Sequence, residues 1–395
     1  MSIQKITTGV IEDSAITGSK ISVGTPEAGD IIYHDGTEYV KLAKGTDGDV
    51  LKLENGLPAW GVGSGGGDGG GGESSGGGGS PTSNGPGDAF IISGTRGESP
   101  SIDITNYSFT TSSESVWGTC LNNGSSGRNS GCPSSSTTDG FYVTGTIQGS
   151  NFTTDIEKYS YSSEGNSTDI GNINQHKTVA GGVSSSTEGY VLGGSGFNIT
   201  GHSSNGQKFA FSNGSSSTNV MSLEIPKAGM GTHQDSTHGY TFGGVAGGGN
   251  NPVVAAVSSC CRFLFANDTS REDIPSLNEA SAGNQSTVGN NINAYIVSGS
   301  SQSNQGDTVF YTRIDSYALT NSSTATDHGD LNEVQSSAYG ASTNTTGLVV
   351  GGSNASIQLA IKQEYSYASN TLATQLTPLT STAGGGGHGQ VPPTF

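Results

Sequence analysis

An all-β fold built from six similar units is predicted by three observations. The first is a stretch that returns six times, most plainly as Gly189-Tyr-Val-Leu-Gly-Gly194 and Gly239-Tyr-Thr-Phe-Gly-Gly244. Its second position is held by Phe90, Phe141, Tyr190, Tyr240, Tyr295 and Leu348, at spacings of 51, 49, 50, 55 and 53 residues. A near-constant period of this size is the mark of a repeat architecture. The second observation is a strand with alternating aromatics 17 to 23 residues after each marker, as in Tyr159-Ser-Tyr161, Phe209-Ala-Phe211 and Tyr365-Ser-Tyr367. Period-two alternation puts both rings on one buried face. The third is composition: 65 of 395 residues are Gly, 30% are hydrophobic and 12% charged. That suits thin apolar strips repeated many times, joined by turns.

Each unit reads in order as four strands. A small-residue strand such as Thr178-Val-Ala-Gly-Gly-Val183 comes first, and a Ser/Thr turn leads into the apolar marker strand. The aromatic strand follows, then a polar hairpin and a weak fourth strand such as Thr168-Asp-Ile-Gly-Asn-Ile173. Four strands in each of six repeats describe a six-bladed β-propeller. The turns between first and second strands are short and monotonous, read as Ser-Ser-Thr, Asp-Ser-Thr and Gln285-Ser-Thr287. The array opens at Ala89 on a second strand, so its first blade lacks an inner strand. Residues 381–390, a small-residue segment, are expected to supply it and close the ring.

Order and composition of these strands resemble kelch repeats, through the Gly-Gly pair and the following Tyr. The Trp that kelch repeats place after that Tyr is missing from nearly every unit, only Trp117 falling near it. The resemblance spans 88–395 and implies a divergent propeller head.

Residues 1–61 have another texture. Gly29-Asp-Ile-Ile-Tyr-His-Asp-Gly36 ends in an Asp-Gly hairpin signal, and Thr37-Glu-Tyr-Val-Lys-Leu42 alternates polar and apolar. So few apolar residues do not make a core alone, and association is the natural remedy. The run KITTGVIEDSAITGSKIS, followed by GDIIYHDGTEYVKLAKGTDGDVLKLENGLPAWG, resembles the N-terminal attachment and stem modules of bacteriophage tail fibres. That resemblance implies a homotrimer formed through this segment, contacts with other virion tail proteins, and a place on the virion after synthesis in the bacterial host cytoplasm. Residues 62–87 read as a Gly/Ser-rich flexible linker with a reach of roughly 25–30 Å. A phosphate-binding loop is set aside, for no strand–loop–helix context or GK[ST] accompanies the glycines.

The formal charge of −18, from 33 acidic and 15 basic residues, disfavours nucleic acid. No apolar run is long enough to span a bilayer, so membrane insertion is not expected, and MSIQKITTGV lacks the apolar core of a secretory signal. Four cysteines are too few for a disulfide scaffold. Cys120 and Cys132 bracket a loop and are candidates for a local pair, an alternative left open. Cys260 and Cys261 are read as small residues pointing to opposite faces of one strand. His233 and His238 flank Asp235 in what reads as a solvated turn, with a metal or triad reading as the alternative. No catalytic residue, metal site or cofactor is assigned.

Connections between second and third strands vary in length, and variable loops on a rigid scaffold are where binding is placed. Within them Asn151, Phe152, Phe197 and Asn198 combine rings with amides, a chemistry that suits sugars. The sequence thus leads to a phage appendage, a tail fibre, whose head binds a host surface glycan or protein receptor without enzymatic activity. A head, neck or connector decoration protein is the alternative, and a polysaccharide depolymerase the second alternative.

Overall fold

The computed structural model describes residues 27–45, 49–54, 57–62, 67–71 and 75–76. From 88 to 390 it describes all but 93–94, 97–98, 101, 121–127, 148–150, 197–200, 218–219, 249–250, 281–285, 298, 303–307, 320–323, 336–337, 353–358, 370 and 378–387. The described elements are strands in several small, mostly antiparallel sheets, with no helix among them. The chain divides into two compact units, Met1–Ser64 and Gly65–Phe395.

In the first unit Ile31–His34 pairs with Tyr39–Leu42, and Asp49–Glu54 pairs with Leu57–Val62. Asp35 builds the first turn by accepting hydrogen bonds from the N–H groups of Thr37 and Glu38, at 2.7 and 2.9 Å. Gly36, at φ +103°, takes the left-handed position that a side chain would strain. The Trp60 indole N–H donates to Ala43 O at 2.6 Å and ties the second hairpin to the end of the first. Much of the apolar surface stays outside: Ile32, Tyr39 and Leu51 are 45%, 67% and 50% exposed.

The second unit holds six four-stranded antiparallel arrays, here sheets 1 to 6. Sheet 2 runs Cys132–Ser135, Asp139–Val143, Asp155–Ser160, Thr168–Asn172, and sheet 3 runs Gly181–Ser184, Glu188–Leu192, Gly206–Ala210, Ser216–Ser217. Sheet 4 runs Gly231–Gln234, His238–Phe242, Cys260–Leu264, Asn267–Ile274. Sheet 5 is Ser286–Asn290, Asn293–Val297, Arg313–Ala318, Thr326–Asp330, and sheet 6 is Tyr339–Ser342, Thr346–Val350, Lys362–Ser366, Thr374–Gln375. Sheet 1 takes Asp88–Ile92, Asp103–Ser108 and Ser113–Thr119 from the start of the unit and its first strand, His388–Gln390, from the end of the chain. His388, Gly389 and Gln390 stand opposite Ile92, Ile91 and Phe90.

The repeated Gly–aromatic pair has a local cause. Gly140, Gly189, Gly239 and Gly347 lie directly across from Tyr159, Phe209, Phe263 and Tyr365 on the third strand of the same sheet. Each ring lies over its glycine: a Cβ at Gly239 or Gly347 would sit 2.6 Å from the ring, and closer still at Gly140 and Gly189. Ala89 and Ala294 occupy the same place opposite Tyr107 and Tyr317. The Gly-Gly that ends the second strand is also conformational. Gly193 and Gly194 have φ of +62° and +85°, and Gly351 and Gly352 +68° and +82°.

Neighbouring sheets are joined by apolar clusters made of the marker strand of one and the aromatic strand of the next. Phe141, Val143 and Ile156 of sheet 2 meet Val191, Phe209 and Phe211 of sheet 3. Similar clusters join sheets 1 and 2, 3 and 4, 4 and 5, and 5 and 6. The sixth puts Ala341, Leu348 and Val350 of sheet 6 against Ala89, Ile91 and Tyr107 of sheet 1, so the contacts run in a cycle. Trp117 takes part by donating its indole N–H to Ser160 O at 2.8 Å.

First strands carry a second, polar lacing. The Ser135 N–H donates to Ser184 Oγ at 2.9 Å, and the Ser184 N–H to Gln234 Oε1 at 2.6 Å. His233 Nε2 reaches Asn290 O at 3.0 Å, and the Gly289 N–H reaches Ser342 Oγ at 3.4 Å. The side chains of Ser184, Ser342, Gln234 and His233 thus hold adjacent sheets together.

Turns between first and second strands share one device, a side-chain acceptor at the first position. Ser136, Ser185, Asp235 and Thr343 accept from N–H groups two and three residues on, and Asn290 does so in sheet 5. These are the side-chain-mimicked turns that Asp, Asn, Ser and Thr favour. Gln285-Ser-Thr287 is not one of them, because Ser286 and Thr287 belong to the first strand of sheet 5 and the turn lies at Asn290.

None of the four cysteines is in a disulfide, and all four are buried. Cys120 belongs to the cluster between sheets 1 and 2 and Cys132 to that between 2 and 3, which answers the open pairing in the negative. Cys260 and Cys261 face opposite clusters, as alternation requires. Burial pushes their thiols up to about 11 and about 12.

Candidate binding face

Strand direction sorts the connections onto two ends of the second unit. Turns from first to second and from third to fourth strands lie at one end. Connections from second to third strands and from sheet to sheet lie at the other. At that second end the described connections are themselves hairpins. Thr95–Arg96 pairs with Ser99–Pro100 in sheet 1, and Thr146–Ile147 with Asn151–Phe152 in sheet 2. Ser195 bridges His202 in sheet 3. Val245–Gly248 pairs with Asn251–Ala256 in sheet 4, and Ser300–Gln302 with Thr308–Phe310 in sheet 5. Neighbours are linked, for the His202 N–H donates to Gly247 O at 2.7 Å.

The base of this face carries buried polar groups. Lys177, Lys227 and Gln335 occupy one equivalent position, four residues before the first strand of sheets 3, 4 and 6. Lys177 Nζ donates to Asn205 O, and Lys227 Nζ to Ser259 O at 3.2 Å. Gln335 Nε2 donates to Gly351 O at 2.6 Å. Each holds a backbone carbonyl of the connection that follows the second strand. Burial drives the Lys177 ammonium down to about 8. Lys227 has a carboxylate instead, Glu224 at 2.6 Å. Burial works to raise the Glu224 pKa, but Lys227 outweighs it and holds the carboxyl below its ordinary value.

Two glutamines clasp the sheet-to-sheet connections. Gln207 accepts from the Gln175 N–H and donates to Gln175 O, both at 3.0 Å. Gln363 accepts from the Glu333 N–H at 3.2 Å and donates to Glu333 O at 2.9 Å. A chain of backbone bonds crosses the same region: the Val179 N–H donates to Ser130 O at 3.1 Å, and the Gly229 N–H to Val179 O at 3.0 Å. Ser130, Val179 and Gly229 all have left-handed backbones, at φ of +53°, +58° and +57°. For Val179 that conformation is strained.

Of the residues singled out in the sequence, Asn151 and Phe152 form the returning strand of the sheet 2 hairpin. The Phe152 ring is half-buried and stacks on His176, with centroids 5.1 Å apart and planes at 24°. Phe197 and Asn198 lie outside the described residues. His233 is not in a solvated turn. It is fully buried on the first strand of sheet 4, where burial depresses its pKa to about 4. Asp235 is a turn-former, accepting from Thr237, His238 and, at 2.6 Å, the Tyr240 hydroxyl.

One juxtaposition was not legible in the sequence. Ser195 Oγ lies 2.8 Å from His202 Nδ1 within the sheet 3 hairpin. A nucleophile of this kind needs its base oriented by a third group. His202 Nε2 is buried with no partner among the described residues. Among the described residues no group of three or more His, Cys, Asp or Glu side chains is placed to hold a metal ion. The arrangement offers hydroxyls, amides, hairpin backbone and an aromatic ring on a fixed base. No protein-family model matches the chain, and no curated protein matches it.

Proposed function

We propose that this protein is a bacteriophage virion appendage of the tail-fibre kind, with a six-bladed, kelch-like β-propeller head that binds the host cell surface. The observation that carries the reading is the asymmetry of the two ends of the second unit. One end has tight, uniform turns; the other gathers hairpins of differing length around a base of buried polar groups. The cyclic order of the six apolar clusters supports the propeller. The fibre-like sequence of residues 1–61 supports the place on the particle.

Ligands of this face are surface glycans, engaged by stacking on rings such as Phe152 and by hydrogen bonds from Ser, Thr and Asn. The head binds without cutting. Large hydrophobic side chains left exposed in the first unit, Ile32, Tyr39 and Leu51 among them, support association into a trimer. Linked heads raise effective concentration, so weak single contacts suffice.

The test is adsorption of labelled full-length chain to a panel of bacterial cells, before and after removal of their surface polysaccharide. Saturable binding to one host that disappears with the polysaccharide is expected. Absence of saturable binding across the panel at high concentration overturns the receptor reading, and release of reducing sugar would replace it with a depolymerase.

A further inference from the structure

The glycine tract between the two sequence blocks contains strands, and their partners are specific. Gly67–Gly71 pairs antiparallel with the first strand of sheet 5, with Gly69 opposite Val288 and Gly67 opposite Asn290. Ser75–Gly76 pairs parallel with the first strand of sheet 3, opposite Gly181 and Gly182. Both belong to the second compact unit. Gly67–Gly71 also lies against the first strands of sheets 4 and 6, and Ser75–Gly76 against those of sheets 1 and 2. Two short strands therefore touch the first strands of all six sheets.

We propose that the centre enclosed by these first strands is a binding site for extended, glycine-rich backbone, occupied in cis by the chain's own glycine tract. First strands otherwise present an unpaired edge, which in a sheet recruits another strand. Pairing satisfies those N–H and C=O groups, which is costly to leave undone away from water. Four of the five residues of Gly67–Gly71 are glycine, and Asp68 stands opposite Gly289. Space is short within the first strands, where a Cβ at Gly289 would lie 2.7 Å from His233 Cε1. The surrounding side chains are fully buried, Ser135, Ser184, Gln234, Thr287 and Ser342 included. A free Gly/Ser tether would need no such composition in register with a strand, since many polar sequences make flexible coil. The proposal concerns the centre and not the hairpin face, so it stands or falls independently of host binding.

Hydrogen exchange on the full-length chain tests it directly. Amides of residues 67–71 are expected to exchange at least about 100-fold more slowly than free coil, as paired strands do. Exchange at coil rates overturns the proposal. A second measurement uses the double variant Gly69→Val, Gly70→Val, which leaves every residue of the six sheets unchanged. Its thermal midpoint should fall by about 3 °C or more, whereas an unchanged midpoint overturns the close fit. Protection that is independent of protein concentration supports occupancy in cis, and protection lost on dilution shows a second copy supplying the strand.

Discussion

Phe141 of sheet 2 stacks on Phe211 of sheet 3, with ring centroids 4.5 Å apart and planes at 13°. The same relation links Tyr190 to Phe265 at 5.4 Å and Tyr295 to Tyr367 at 4.2 Å. At these three junctions the second ring of the aromatic strand is therefore the receiving surface for the marker of the sheet before it. Phe141→Ala removes a fully buried ring from this junction and should cost about 3–5 kcal/mol. Urea unfolding followed by tyrosine and tryptophan fluorescence measures it. A cost below about 1 kcal/mol would mean that the rings do not join the sheets.

Gln207 has no exposed surface and uses both ends of its amide on the Gln175 peptide. Truncating it leaves a backbone N–H and C=O without their partner. Gln207→Ala should lose about 1–3 kcal/mol, and Gln207→Glu, which keeps the acceptor and loses the donor, should not restore it. The midpoint of chemical denaturation reads both variants.

Marker and aromatic strands were legible because alternation and a constant period are properties of the chain alone. What the glycine before each marker does was not, since the ring that covers Gly189 belongs to Phe209 on another strand. The buried amines left a signal that could have been read: Lys177 and Lys227 are 50 residues apart, the spacing of Tyr190 and Tyr240. A lysine repeated in phase with the core is not a solvated charge. Gln285-Ser-Thr287 misled because it copies the turns of sheets 3 and 4, while the added length between Tyr240 and Tyr295 moves that turn to Asn290. Of the proposed site, Phe152 could be chosen from its setting, but its partner His176 sits on the connection to the next sheet.

Val179 shares its left-handed backbone with Gly229 in the equivalent place. A β-branched residue there stores about 1–3 kcal/mol of strain, against which glycine adds roughly 0.5–1 kcal/mol of unfolded-state entropy. Val179→Gly keeps the backbone bonds to Ser130 and Gly229 and should raise stability by about 1 kcal/mol. Calorimetry checks the sign; a lower midpoint would show that the valine side chain contributes more than its strain.

Phe152 is placed on a hairpin and stacks on His176, outside the described clusters that join sheets. If the hairpin face binds glycan, Phe152→Ala should weaken adsorption to host cells about tenfold, near 1.4 kcal/mol. Its thermal midpoint should move far less than that of Phe141→Ala. Unchanged adsorption would remove Phe152 from the binding surface.

His233 turns the first strand of sheet 4 into a pH-sensitive element. Burial is the main cause of its depressed pKa of about 4, opposed by its bond to Asn290 O and by Asp235. Its Nδ1 is buried without a partner among the described residues, which give an added proton no acceptor. The unfolded chain binds that proton near pH 6.5. Between these values the unfolded state holds more protons, and stability must fall as pH falls. The contribution is fully present above about pH 6.5 and lost by about pH 4, amounting to roughly 3 kcal/mol. His202, also depressed by burial, acts in the same direction. A single substitution separates the two. His233→Gln keeps an N–H donor for Asn290 and does not titrate, so its stability should decline less than the wild type's between pH 6.5 and 4. Denaturation midpoints at half-unit pH steps measure the difference, and parallel curves for the two proteins would show that His233 is not held neutral by the fold.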